Sequence, residues 1–319
     1  MALAPSGEFA YLIYTNSGTI RIADLRGRTV STTHAGEDLT NLALSPSGDD
    51  LYLTSNSPAG DYDRSFYVLD TSNNKVIRNV NVGGSSSTVV VSPDGRFLYV
   101  TTNDALKIIS ATTLTVVGSI PLSNGFGAAN SALSVNGNTV YVATNQSTGS
   151  SGSLDSQLDV IDVTDRKVLA TIDQGKKING PCGLVTSTTR SVLYESTCAA
   201  ESGAGEADLG LLIFDEKTNR FEAGIKLNGG FRGIALAPKG NVLYAANDEL
   251  GGVDLIDVAT RKLIEHVSVS TPTIRTRFGP LKTGLYDLSV SRNGRYLYAT
   301  NFTFTNNGTL SAIQLSQSR

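Results

Sequence analysis

One phrase returns seven times along the 319 residues: a short apolar run, a turn that reads Ser/Ala-Pro-x-Gly in four copies and a variant of it in the other three, and a second apolar run built around a tyrosine. The tyrosines are Tyr11, Tyr52, Tyr99, Tyr141, Tyr194, Tyr244 and Tyr298, spaced 41 to 54 residues apart. A strand-rich unit of that length cannot bury its own apolar face, so copies must stack side by side to form a core. A second phrase follows most of the tyrosines, as in Phe66 to Val82, Leu106 to Leu122, Leu158 to Asp173, Leu211 to Leu227 and Val253 to Val269. Each is two alternating segments around a polar turn, which reads as a β-hairpin. Four strands per unit and seven units predict an all-β chain, a single seven-bladed β-propeller over 1–319. The blades fall at approximately 1–34, 35–83, 84–123, 124–175, 176–228, 229–270 and 271–319. After the third strand of the last blade, at Leu310 to Leu315, only four residues follow, which predicts a three-stranded seventh blade.

The turns follow from their residues. Proline presets the first corner of the Pro-x-Gly turn and glycine tolerates the positive φ that closes it. Asp24, Asp70, Asp162, Asp215 and Asp257 open the outer turns. Their once-per-blade recurrence reads as caps on backbone N–H groups rather than as metal ligands. Asn16, Asn56, Asn103, Asn145, Asn247 and Asn301 end six of the tyrosine strands and read as structural strand-end residues.

The segments Tyr99-Val-Thr-Thr-Asn103, Tyr141-Val-Ala-Thr-Asn145, Tyr244-Ala-Ala-Asn247 and Tyr298-Ala-Thr-Asn301 resemble the repeat of the YVTN propeller family. That resemblance covers essentially the whole chain. It implies the WD40-like propeller fold and leaves function open, because such propellers include surface-layer, periplasmic, dehydrogenase-subunit and lactonase-like proteins. The stretch Phe231-Arg232-Gly233 to Pro238, followed by Asn247-Asp248-Glu249-Leu250, is similar to the Pro-Arg-His and Asn-Glu-Leu segments of lactonase-type propellers. The resemblance aligns Arg232 with their arginine and Glu249 with their glutamate, while Gly233 stands where they have histidine.

Function is sought on the face with the long connections, Asn56 to Arg64, Asn145 to Gln157, Thr197 to Asp208 and Ser268 to Gly284, because variable loops on a rigid scaffold carry binding residues. Six residues before each turn proline or its equivalent stand Thr40, Ser87, Ala129, Cys182, Arg232 and Tyr286. Asn41, Thr88, Asn130, Gly183, Gly233 and Asp287 come next. These positions are expected at the channel mouth, where most are small. Arg232, Tyr286 and Asp287, with Asn41, Asn130, Lys176, Arg275 and Arg277, are the candidate ligand-binding residues. An arginine there suits a carboxylate or sugar acid through bidentate contacts; it equally suits an ion pair with Asp287 or a neighbouring acid that holds the blades together. Catalysis would need a base, for which His34 and Glu249 are the candidates. No cofactor is expected. Ca²⁺ at Asp61 and Asp63 or at Asp248 and Glu249 stays an option, although no Ca²⁺-loop motif is present.

Composition narrows the partners. A formal net charge of −3, with 17% charged residues, argues against nucleic acid. No apolar run is long enough to cross a bilayer as a helix. Cys182 and Cys198 flank one hairpin, in a register that places them nearly opposite, so a cross-strand disulfide is expected. A disulfide implies an extracellular or periplasmic location. No signal peptide is read at the start, yet Met1 abuts the first repeat directly, which points to a removed leader or a trimmed chain. The expectation is a monomeric secreted or periplasmic scaffold for a protein partner or a small anion. The alternative is a lactonase- or lyase-like enzyme using the same channel mouth.

Overall fold

The computed structural model describes all residues except 15–16, 28, 57–65, 123–127, 149–152, 176–180, 198–209, 223, 271–272, 277–278, 283, 302–307 and 316–319. The chain is a seven-bladed β-propeller of consecutive antiparallel sheets, four-stranded except for a three-stranded last blade, and no helix occurs among the described residues. It divides into two compact units, Met1–Ser147 with Ser156–Asp173, and Thr148–Asp155 with Gln174–Arg319.

The first unit holds blades 1 to 3 and the body of blade 4. Blade 1 is β1 (Ala2–Leu3), β2 (Phe9–Ile13), β3 (Thr19–Asp24) and β4 (Val30–His34). Blade 2 is β5 (Leu39–Leu44), β6 (Asp50–Ser55), β7 (Phe66–Asp70) and β8 (Lys75–Val80). Blade 3 is β9 (Ser86–Val91), β10 (Phe97–Thr102), β11 (Ala105–Ser110) and β12 (Thr115–Pro121). Blade 4 is β13 (Ala128–Leu133), β14 (Thr139–Thr148), β15 (Ser153–Asp162) and β16 (Lys167–Gly175).

The second unit holds the rest. Blade 5 is β17 (Pro181–Thr186), β18 (Val192–Thr197), β19 (Leu211–Asp215) and β20 (Arg220–Phe221). Blade 6 is β21 (Phe231–Leu236), β22 (Val242–Asn247), β23 (Gly252–Asp257) and β24 (Lys262–Ser268). A separate hairpin, β25 (Thr273–Thr276) with β26 (Gly279–Lys282), precedes blade 7, which is β27 (Leu285–Val290), β28 (Tyr296–Asn301) and β29 (Leu310–Gln314). Two of the expected long loops are therefore partly strand. Blade 4 extends β14 to Thr148 and begins β15 at Ser153, and the stretch after Ser268 carries the hairpin.

Within each unit the core lies between neighbouring blades rather than at one centre. The repeat tyrosines explain their own recurrence. Tyr11 packs with Leu42, Leu51 and Leu53 of the next blade, Tyr52 with Val89 and Leu98, and Tyr99 with Val140 and Val142. In the second unit Tyr194 meets Ile234 and Leu243, and Tyr244 meets Leu288 and Leu297. Burial raises the phenol pKa of each of these tyrosines, that of Tyr52 to about 12, with the Asp50 carboxylate adding to it.

The Pro-x-Gly turn has a second task. A Cβ added to Gly48, Gly95, Gly137 or Gly294 would fall 2.8, 3.3, 2.8 or 3.7 Å from Cδ of Pro5, Pro46, Pro93 or Pro238, each in the preceding blade. Proline of one turn thus rests on glycine of the next. The outer turns are capped as expected. Asp24 Oδ1 accepts from the Arg26 and Gly27 N–H groups at 2.8 Å each, and Asp162, Asp215 and Asp257 accept in the same way. Those bonds hold the carboxyls of Asp24, Asp215 and Asp257 below their usual pKa; at Asp70 the Ser72 side chain contributes most.

Candidate functional site

Every complete inner strand carries one irregularity, and it falls on the residue found by counting back from the turn. The ladder pairs Leu39 with Ser55 and then Asn41 with Thr54, skipping Thr40. It skips Ser87, Ala129, Cys182 and Tyr286 likewise, and both Arg232 and Gly233 between Phe231 and Ile234. A β-bulge frees its residue from cross-strand pairing and re-aims the side chain.

In the second unit three of these bulged strands lie together, and the arginine is built into them. Arg232 Nε donates to Asp248 Oδ2 at 2.8 Å, and its guanidinium carbon sits 5.6 Å from the centre of the Tyr286 ring, a cation–π geometry. The Arg232 side chain stays 36% exposed and that of Asp248 22%. The terminal nitrogens of Arg232 have no partner among the described residues. Ser196 Oγ donates to the Arg232 carbonyl, which fixes the bulge from blade 5. A Cβ on Gly284 would overlap the Asp248 carboxylate, so the acid is seated against backbone.

Gly233 shows why no imidazole follows the arginine. A Cβ there would lie 2.7 Å from Asp287 Cα and 2.9 Å from the Tyr286 carbonyl oxygen. The inner strands of blades 6 and 7 approach too closely for any side chain.

The remaining candidates separate. Asp287 accepts the N–H of Leu288 at 2.9 Å, and Asn130 does the same for Ser131, so the two equivalent residues brace their own strands. The ion pair that Arg232 makes is with the neighbouring acid Asp248. Asn41 lies on β5 and offers its carbonyl to Thr54 at 3.3 Å. His34 is exposed and closes β4 in the first unit. Glu249 is exposed one residue beyond Asp248. Arg275 lies on β25. Lys176, Arg277, Cys198, Asp61 and Asp63 fall outside the described residues, and with them the expected partner of Cys182 on β17. Among the described residues no group of three potential ligands is arranged for a metal ion.

Two buried polar groups were not singled out from the sequence. Asp254 Oδ1 lies 2.6 Å from His266 Nδ1, and its Oδ2 accepts from Asn247 Nδ2 at 2.9 Å. Asn247 also donates to the Asn228 carbonyl and accepts from the Leu250 N–H, so the strand-end asparagine ties the loop to the blade. Blade 4 has the same device, with Thr171 donating to Asp159 at 2.6 Å, which marks the pair as architecture. The second group is Glu195, on the central strand of blade 5 and wholly buried between its ladder neighbours Leu184 and Leu212. Burial pushes its pKa up to about 8, although Gln174 Nε2 donates to both carboxyl oxygens at 2.9 and 2.8 Å. Gln174 Oε1 is buried without a partner among the described residues, and a protonated Glu195 has the O–H such an oxygen needs.

Two grooves in the first unit, of about 400 and 360 Å³, are also architectural. One is lined by Pro93, Phe97, Tyr99 and Gly137, the other by the equivalent Pro5, Phe9, Tyr11 and Gly48. They repeat with the blades.

No family profile matches the chain, and no curated protein sequence does. Among solved structures it is similar to the hydrazine synthase of Kuenenia stuttgartiensis, with TM-score 0.79 and 19% identity over 99% of this chain and 95% of that one. A likeness at that identity carries the fold alone.

Proposed function

We propose that the chain is a secreted or periplasmic YVTN-type propeller that works as a binding scaffold and receives a small carboxylate at Arg232. The observation that carries this is the state of the guanidinium. Asp248 holds it through Nε and Tyr286 supports its face, while the terminal nitrogens, the pair that binds a carboxylate bidentately, have no partner among the described residues. A purely structural arginine would be expected to use those nitrogens within the fold. The YVTN assignment rests on the tyrosine and asparagine repeats, and the location on the expected bridge between Cys182 and Cys198.

The test is a thermal-shift titration with sugar acids, lactones and small carboxylates on the wild type and on Arg232→Ala. Ligand binding to the native state raises the midpoint with concentration. A rise that disappears in Arg232→Ala supports the reading. If no carboxylate moves the wild-type midpoint, or if the rise survives in the variant, the site is not at Arg232. Turnover of a lactone, lost in Arg232→Ala, would move the assignment to the lactonase-like alternative.

A further inference from the structure

We propose that the groove between blades 1 and 2 binds one pyranose ring of a neutral carbohydrate, at a site beyond the one proposed around Arg232. The two grooves of the first unit share a frame of proline, aromatic rings and glycine, but their chemistry differs. Where the groove between blades 3 and 4 has Asp94, Val163 and Arg166, this one has Ser6, Thr71 and Asn74. Among the described residues no charged side chain lines it.

The difference centres on Asn74. It closes the outer turn of blade 2 at a φ of +58°, the left-handed place that Leu114, Arg166 and Arg261 take in blades 3, 4 and 6. Each of those side chains is occupied by the fold. Leu114 packs on the core around Tyr52, Arg166 Nη1 donates to the Val117 carbonyl at 3.2 Å, and Arg261 pairs with Glu222. Asn74 Oδ1, by contrast, is buried without a hydrogen-bond partner among the described residues.

The turn itself does not account for that oxygen. The Asn74 N–H donates to the Asp70 carbonyl at 2.8 Å, and its own carbonyl accepts from Thr33 Oγ1 at 2.9 Å. Asparagine takes a positive φ readily, which explains the residue type and not the unmet acceptor. Asn219 holds the same place in blade 5, and among the described residues it leaves no buried atom unmet. Buried polar groups are nearly always hydrogen-bonded, so Asn74 calls for a donor that the fold does not supply. Its terminal torsion is soft, and a small rotation presents the oxygen to a ligand in the groove.

The rest of the lining selects the ligand. Ser6 Oγ accepts the Glu8 N–H at 3.3 Å and keeps its own proton, while Ser72 Oγ donates to Asp70 at 2.6 Å and keeps its lone pairs. The groove thus offers a donor at Ser6 and acceptors at Ser72 and Asn74. The group that answers both is a hydroxyl, and several hydroxyls on one rigid frame are a sugar. Pro5, Phe9 and Ile22 add an apolar wall for the C–H face of such a ring. The volume of about 360 Å³ lies at the small end of ligand pockets, roughly 300 to 1,000 Å³, which suits a single ring. A charged ligand would find no counter-charge in the lining.

The test is a ligand-observed NMR titration of the full chain with the methyl glycosides of glucose, galactose and mannose. Glucuronate and glucosamine are the charged comparators, and glycerol is the comparator without a ring. Asn74→Arg installs the side chain that spans the groove between blades 3 and 4, at a φ that Arg166 already adopts. Ser6→Asp installs that groove's acid at an exposed position, and stays informative if the arginine variant folds badly. The expected result is saturable binding of at least one neutral glycoside, at least about tenfold weaker in each variant. Amide exchange at 71–75 should slow in the wild type when that glycoside is bound. The proposal is overturned if no neutral glycoside binds saturably, if either folded variant leaves binding undiminished, or if exchange at 71–75 is unchanged. Tighter binding of a charged sugar, or equally tight binding of glycerol, would overturn it too.

Discussion

Raising the pH from about 5 to about 9 is expected to destabilise the folded chain through one side chain, Glu195. Its carboxyl lies between Leu184 and Leu212 with Gln174 as its hydrogen-bonding partner, and its pKa is pushed from 4.5 up to about 8. The unfolded chain releases this proton near its ordinary value while the folded chain holds it. The stabilisation is therefore complete below about pH 4.5, declines as the pH rises, and is gone above about pH 8. One proton corresponds to a slope of about 1.4 kcal/mol per pH unit. Over the interval between the two pKa values the loss has a ceiling of roughly 5 kcal/mol, a large share of the 5 to 15 kcal/mol, roughly, that hold a domain together. The aspartates that cap the outer turns act in the opposite sense, and only as the pH falls below about 4, so the two effects do not overlap. The assay is urea unfolding at half-unit pH steps on the wild type and on Glu195→Gln, which keeps the shape and cannot ionise. The wild type should lose stability across the window and the variant much less. A flat wild-type curve, or the same slope in Glu195→Gln, would refute the account.

Gly137→Ala should destabilise by about 2 kcal/mol, because φ is +76° there and the new Cβ meets Pro93 Cδ at 2.8 Å; Gly83→Ala, at +80° with open space around it, should cost only about 1 kcal/mol, and calorimetry on both separates contact from backbone strain. Asn247→Ala strips a donor from the buried Asp254 carboxylate and both ties to the loop, so a loss of about 2 to 3 kcal/mol is expected in chemical denaturation; a loss under half a kcal/mol, roughly, would remove the asparagine from the framework. Intact mass under alkylating conditions, with and without reductant, should show the two cysteines reacting only after reduction; labelling without reductant would count against the bridge. Gly233→His should not yield a folded protein with lactone turnover, since its Cβ has no space beside Asp287, and soluble, active variant would contradict the packing argument.

Strand number and blade order were legible because two signals, the tyrosine phrase and the hairpin phrase, repeat with turn residues fixed between them. Counting back from the turn proline reaches Thr40, Arg232 and Tyr286, but the sequence expectation there was the channel mouth and not a bulge, because nothing in the side chains marks a skipped ladder position. The partner of Arg232 was only partly legible. The ion-pair reading left the choice between Asp287 and a neighbouring acid; the contact falls on Asp248, because loop geometry after β22 decides which of the adjacent acids Asp248 and Glu249 turns inward. The strand extension of blade 4 is written largely in Asn, Gln, Ser, Thr and Asp, which look like loop until pairing between β14 and β15 supplies the hydrogen bonds. Glu195 sits at an ordinary place in an alternating strand, and only the side chains that close over it make it unusual.

The bulge in each inner strand separates two kinds of information that most strands carry together. Where every residue must pair, a change of side chain is also a change to the fold. Here the ladder passes over one position in blades 2 to 5 and 7 and two in blade 6, so Thr40, Ser87, Ala129, Arg232 and Tyr286 are relieved of pairing duty. Such positions behave like independent dials: each can be reset by one substitution, and the register on either side is kept by residues that do not change. A chain arranged this way can drift from one ligand to another a blade at a time, without passing through an unfolded intermediate sequence. That also marks where a library for a new specificity should be placed, and how few codons it needs.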